Sequence, residues 1–164
     1  MTDLRNGQRG DLQAAIEFIW REAELLDRRL YREWLKLWVA EGLYVVPIER
    51  DAADPEAALN LICDNAEMRE ARVTRLLSTA SISAAASART VRTVSRFTRA
   101  NGTDSAIDIR CAQHLVEYKR DRTQILAADV AYRLVPQGDG FAIDRKVVTL
   151  VHSDGAVGSI GYLL

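Results

Sequence analysis

Metal or proton-transfer chemistry in this chain has a short inventory to draw on. There are two histidines, His114 and His152, and two cysteines, Cys63 and Cys111. An iron–sulfur centre takes Cys or mixed Cys/His ligands in closely spaced pairs, and a facial-triad iron takes two His and a carboxylate. These four soft ligands are scattered singly with no C-x-x-C pair, so an intrinsic metal site is not expected. Acid–base chemistry has more candidates, since a carboxylate, imidazole or phenol lining a cavity can move a proton. His114, Asp129 and Tyr132 form the main set, with Tyr31, Tyr44 and Asp64 behind them. His114 shares strand parity with Ala112, Val116 and Tyr118 and can face a core, where a lone His is more often a hydrogen-bonded structural residue than a base. Asp129 is out of phase with the apolar residues around it and points away from them. Asp64 is explained by helix capping.

Two further features suggest surfaces. Arg89, Arg92, Arg96 and Arg99 recur along one β-rich run. A phosphate or nucleic-acid reading is disfavoured by the net charge of -1, from 22 basic and 23 acidic residues, and by the lack of interleaved aromatics beyond Phe97. A solvent-facing row, or a subunit interface built on Arg89, Arg92 and Arg96, is expected instead. The stretch Gly155–Leu164 is Gly-rich and then apolar, so Tyr162, Leu163 and Leu164 are expected to dock on the chain's own sheet or on a neighbouring subunit.

The elements that would position these residues follow from periodicity. Asp11 is placed to cap a long helix in which Leu12, Ala15, Ile16, Ile19, Trp20, Ala23, Leu26 and Leu30 recur at spacings of three and four. A bend near Arg28–Tyr31 leads to a second helix from Tyr31 to Val39. Trp20, Trp34 and Trp38 are expected in the core. Leu43–Ile48 reads as a short or edge strand closed by Pro47, and Leu59–Cys63 as a second apolar run. Asp64 and Glu67 form a capping-box pattern ahead of a helix to about Leu77, with Met68, Ala71, Val73, Leu76 and Leu77 inward. Ser78–Ala88 is a low-complexity Ser/Ala loop. Thr90–Arg99, Ala106–Tyr118, Gln124–Val135 and Phe141–Val151 are long β-rich runs. In the third, Leu126, Ala128, Val130, Tyr132 and Leu134 share one face. Helices first and an antiparallel meander afterwards make the fold class α+β.

At 164 residues the chain suits one domain, with residues 1–10 as a flexible tail and 11–164 as the folded unit. Such a chain buries roughly 70% of its extended surface, enough for a core or a modest pocket. Two distant cysteines argue against a disulfide framework. The polar start has no secretory h-region and no apolar run reaches about 18 residues, so neither export nor a membrane span is expected and a cytoplasmic location fits.

Four stretches in order carry a likeness. Glu22-Ala23-Glu24-Leu25-Leu26-Asp27 with Tyr31-Arg32-Glu33-Trp34-Leu35 is the first, and Leu61–Asn65 with Glu70-Ala71-Arg72-Val73 the second. Ser87–Arg92 and Phe141–Val148 complete the set. Together they resemble the β (small) subunit of aromatic-ring-hydroxylating (Rieske-type) dioxygenases, members of the NTF2-like, SnoaL-like cone-fold group. Cys63, Asn65, Ala86 and Phe141 depart from the residues usual in that family. The resemblance implies N-terminal helices packed on a long, strongly curved, mainly antiparallel sheet. It also implies a structural role beside a larger α subunit that holds the Rieske iron–sulfur cluster and a mononuclear iron. This chain would carry no cofactor and would form a homotrimer within an α3β3 hetero-hexamer that oxidises an aromatic compound. The competing reading is a stand-alone NTF2-like enzyme or small-ligand binder of isomerase or dehydratase type, using His114, Asp129 and Tyr132 in a cavity.

Overall fold

A computed structural model describes residues 3–51, 53–78, 88–100, 105–152 and 162–164. The order is α1 (Asp3–Asp27), α2 (Tyr31–Leu35), β1 (Trp38–Pro47), β2 (Asn60–Asp64), α3 (Ala66–Leu76), β3 (Arg89–Arg99), β4 (Ile107–Lys119), β5 (Arg122–Gln137) and β6 (Gly140–Leu150). The six strands form one curved sheet in the order β2-β1-β6-β5-β4-β3. All neighbours are antiparallel except β1 and β6, which run parallel. The Ser/Ala run expected as a loop lies outside the described residues apart from Ser78 and Ala88.

Period-two alternation builds the sheet. On β4, Ile109, Cys111, Gln113 and Leu115 are buried while Arg110, His114 and Val116 are exposed. On β5, Ala128, Val130, Tyr132 and Leu134 are buried. These inner-face residues meet Ala15, Ile19, Ala23 and Leu26 of α1 to form the core. Two-residue turns close the β4–β5 and β5–β6 hairpins. Arg120 and Asp121 both have positive φ, 51° and 59°, as a type I′ turn requires, and Gly138 at 57° serves the next hairpin.

Several expectations are corrected. Helix α1 starts at Asp3, so Asp11 lies within it and caps nothing, and the tail expected over residues 1–10 is helical from Asp3 onward. No proline interrupts that stretch, so the packed helix propagates toward its N-terminus. The bend falls where the sequence places it, and by a defined device. Arg29 adopts φ 57°, Leu30 N–H donates to Leu25 C=O at 2.8 Å, and Arg29 N–H donates to Leu26 C=O at 3.1 Å. That is a Schellman stop with Arg in the position glycine usually takes.

The second helix ends at Leu35, and Trp38 opens β1 instead. There the strand bulges between Trp38 and Leu43 in its pairing with β6. A Cβ on Gly42 would stand 2.9 Å from Ile143 O, so glycine is required at that crossing. At the start of α3 the buried residue is Arg69 in place of the expected Met68. It donates to Gly42 O and, at 3.3 Å, to Val39 O, and it lies 4.3 Å from the Trp38 ring centroid. Met68 is exposed in exchange.

Asp64 is the last residue of β2, and the α3 cap is Asn65, whose side chain accepts from Met68 N–H at 3.0 Å. Trp20 is half exposed and packs edge-on against Phe97, its indole N–H donating to Val94 O at 3.2 Å. Replacing Asn65 by Ala should lower stability by about 1 kcal/mol in urea unfolding, and by Gly only a few tenths. An unchanged midpoint in the Ala variant would return the capping role to Asp64.

Candidate functional site

The inner face carries charge at its centre. Glu22 falls four residues before Leu26 and three after Ile19, in line with the buried stripe of α1, so its carboxylate is driven into the core. Three donors meet it there. Trp34 Nε1 and Lys146 Nζ each donate to Oε1 at 2.8 Å, and Tyr132 OH donates to Oε2 at 2.7 Å. Lys146 is 0% exposed because it alternates with Val148 and Leu150 on the inner face of β6. Its ammonium also donates to Leu164 O at 3.0 Å. Tyr44 OH donates to the same oxygen at 3.2 Å and accepts from Leu164 N–H at 3.0 Å. Burial pushes the Tyr44 and Tyr132 hydroxyls up, and the Glu22 charge adds to both. Burial pulls the Lys146 ammonium down, against the attraction of Glu22.

Two more ion pairs tie the same layer. Asp27, at the end of α1, accepts from the backbone N–H of Arg92 at 2.7 Å and from the Arg92 guanidinium, which also donates to Leu163 O. Asp64 accepts from Arg72 Nη2 at 3.0 Å as part of a two-point contact. Trp34, Trp38 and Tyr44 stack edge to face around this lattice at centroid distances of 5.3–6.1 Å. Every oxygen of Glu22 is thus engaged by a fixed donor, and none of the clefts described below is lined by Glu22, Lys146 or Tyr44. The arrangement holds elements together; it offers no free acid or base to a substrate.

The sequence-derived candidates are not brought together. His114 is exposed on the outer face, opposite Thr93 and Ala127, and does not face the core. Asp129 is also on the outer face, held by Arg50 at 2.7 Å and by Arg96. Tyr132 points the other way, to Glu22. Tyr31 is buried beside α1, its hydroxyl raised mainly by burial. Arg92, Leu163 and Leu164 are buried within the chain and present no side chain to a neighbour, whereas Arg89, Arg96 and Arg99 are exposed. Arg92 turns inward because it alternates with Val94 on the inner face of β3. Tyr162 is partly buried against the core.

Among the described residues the candidate metal ligands do not converge. Cys63 and Cys111 are free thiols on β2 and β4, and His152 is exposed just past β6. Among the described residues no group of three or more His, Cys, Asp or Glu is placed to hold a metal ion. Cys111 Sγ lies 3.7 Å from Val130 O, and burial raises its thiol to about 12. These residues therefore do not fit an iron–sulfur or mononuclear iron centre. No helix among the described residues is long and apolar enough to cross a membrane.

Comparison with known proteins gives a consistent set of likenesses. Residues 21–154 match the family described as the ring hydroxylating beta subunit. The small subunit of 2-halobenzoate 1,2-dioxygenase from Burkholderia cepacia is 30% identical over 140 residues, covering 82% of this chain and 85% of that protein. The β subunit of benzoate 1,2-dioxygenase from Burkholderia mallei superposes with a TM-score of 0.78 at 23% identity, covering 93% of this chain and 97% of that one. An NTF2-like protein with a cystatin-like fold from Novosphingobium aromaticivorans gives a TM-score of 0.66 at 15% identity, covering 95% and 90% of the two chains.

Substituting Lys146 by Met strands the Glu22 carboxylate and should lower stability by about 3–5 kcal/mol. Adding Glu22→Gln should cost much less than a second independent loss, and strict additivity in the double-mutant cycle would show the pair to be uncoupled. A second expectation concerns alkaline pH. Cys111, Tyr44 and Tyr132 all have folded values raised above the ordinary 9.0 and 10.0. Each keeps its proton in the folded chain where the unfolded chain has lost it. Their contribution is complete below about pH 8.5 and is lost as pH climbs through the folded values. Lys146, held low, has the opposite sign and offsets part of the slope. Circular dichroism against pH should show unfolding at high pH, with the last tyrosines ionising only as structure is lost. Tyrosinate absorbance from all five tyrosines in the intact fold would refute this.

Proposed function

The chain belongs to the ring-hydroxylating β subunits, and we propose that it is the structural small subunit of a multi-component aromatic-ring-hydroxylating dioxygenase. Its role is to stabilise a larger catalytic α subunit in an α3β3 assembly within aromatic-compound catabolism, with this chain forming the trimer. The observation that carries the reading is the saturated Glu22 carboxylate. At the centre of the core the Glu22 carboxylate is engaged by Trp34, Tyr132 and Lys146. A stand-alone isomerase or dehydratase would need such a group open to a substrate. The separation of outward His114 and Asp129 from inward Tyr132 weighs against that alternative further.

The redox groups of such an enzyme, a Rieske cluster and a mononuclear iron fed by NAD(P)H, belong to the α subunit on this reading. The chain's own scattered Cys and His residues agree with that division of labour. A cytoplasmic location accords with its free thiols. Arg89, Arg96 and Tyr162 remain the candidate interface positions among those first singled out.

Light scattering on the purified chain should give a trimer that grows to a hexamer when the α subunit is co-expressed. A monomer indifferent to that subunit would overturn the assignment. His114→Ala should leave turnover by the assembled complex within about twofold of wild type, as expected of a surface position remote from the chemistry. A loss of two orders of magnitude, typical for removal of a general acid or base, would restore the enzymatic alternative.

A further inference from the structure

The outer face of the sheet, which α1 does not cover, is divided into two regions. One is a basic trough. Two adjoining clefts of about 530 and 480 Å³ share Arg110, Ala131 and Thr149. Their floor is made of small side chains from β5 and β6, and their walls carry Arg50, Arg96, Arg110, Arg133 and Arg145. Against these five arginines stand three carboxylates. Asp129 is shared by Arg50 and Arg96, Asp108 lies 3.5 Å from Arg133, and Glu56 lies 3.0 Å from Arg145. Five positive and three negative charges leave the trough at +2, on a chain whose net charge is -1. Arg110 is exposed and its guanidinium has no partner among the described residues.

The wall is built at a conformational cost. Arg96 sits at φ 55° in a bulge of the edge strand β3, where the pairing with β4 shifts between Ser95 and Thr98. The bulge carries its guanidinium over Ala112 to Asp129 on β5. From the other flank of β5, just beyond the end of β1, Arg50 reaches the same carboxylate. A residue other than glycine in this backbone region is uncommon and marks a position held for a reason.

The second region is apolar. Val91, Val116 and Ile125 are direct cross-strand neighbours on β3, β4 and β5, and Val91 and Ile125 are 64% and 60% exposed. Val116 is six residues from Arg110 on β4, about 20 Å along the strand, so both regions fit within one standard interface. An apolar patch and a group of arginines on the same sheet face are the composition of a protein–protein interface. A small-ligand pocket would be enclosed and mostly apolar.

We infer that the trough is a docking surface for an acidic segment of the larger dioxygenase subunit, with Arg110 as its free guanidinium. The inference rests on the small-subunit assignment and adds to it the face used and the charge of the partner. The Arg110 side chain makes no hydrogen bond or ion pair among the described residues, so Arg110→Glu should fold with an unchanged melting temperature. Its affinity for the purified α subunit should fall roughly tenfold or more, as for loss of a charge pair across an interface. Arg110→Lys should retain most of the binding, and wild-type affinity should weaken as salt is raised. Arg32→Glu, the same charge reversal on exposed α2, should bind as wild type.

Wild-type affinity in Arg110→Glu, or an equal loss in Arg32→Glu, would overturn the docking surface while leaving the assignment intact. So would saturable, Arg110-dependent binding of benzoate or inorganic phosphate to the isolated chain, which would make the trough a small-anion site. Failure of the wild-type chain to bind the α subunit at all would remove the assignment and this inference with it.

Discussion

A carboxylate in the middle of a protein must be matched or it unfolds what surrounds it. Taking an ion from water costs several kcal/mol even after relaxation, and only well-placed donors return that cost. Glu22 is given an indole N–H, a phenol and an ammonium, and the ammonium is shared with Leu164 O. Each donor comes from a different element: α2, β5 and β6. Satisfying one side chain on α1 therefore fixes the rotation of that helix, the register of two strands and the approach of α2 at once. A one-residue slip of β6 would send Lys146 to the outer face and leave the carboxylate alone.

The other two buried pairs repeat this logic at the ends of the layer. Asp27 holds Arg92 where α1 meets β3, and Asp64 holds Arg72 where β2 meets α3. Glu22, Asp27, Trp34, Asp64, Arg72, Arg92 and Lys146 all fall in the stretches that carry the family likeness. The likeness is thus a set of mutual contacts, and residues distant in sequence account for one another in space. Two of the departures, Cys63 and Asn65, do not disturb it. Cys63 stands opposite Val45 on the β2 edge, and Asn65 gains the α3 cap.

Much of the fold was legible because it depends on local pattern. The four long strands, the turn at Gly138 and the apolar stripe of α1 are each readable from a window of about ten residues. The centre of the core was not, since the partners of Glu22 lie 12, 110 and 124 residues away and spacing carries no information over that span. A signal was present nonetheless. Glu22, Lys146 and Arg92 each occur at a position whose helical or strand phase points inward, and an ionisable residue in phase with a buried stripe implies an opposite charge to meet it. The error at His114 had the reverse cause. Its phase neighbours Val116 and Tyr118 are apolar yet exposed, so parity with apolar residues named the wrong face. Trp38 was assigned to a helix because a tryptophan three or four residues from Trp34 and Leu35 fits a helical period. The stop at Leu35 is set by the later crossing of β6, which the local window does not contain.

That crossing has a consequence in time. β1 is complete by Pro47, yet one of its two neighbours in the sheet, β6, begins at Gly140 and runs parallel to it. Synthesis therefore releases an amphipathic helix with an ionised residue on its apolar side, and a strand with one edge unpaired, long before their partners exist. Contacts of such sequence separation make folding slow and leave sticky intermediates. A nascent chain ending short of Lys146 lacks the ammonium that meets Glu22 in the finished fold. Until β6 emerges, β1 therefore keeps an open edge on that side, and an unpaired strand edge of this kind is where folding intermediates stick to one another.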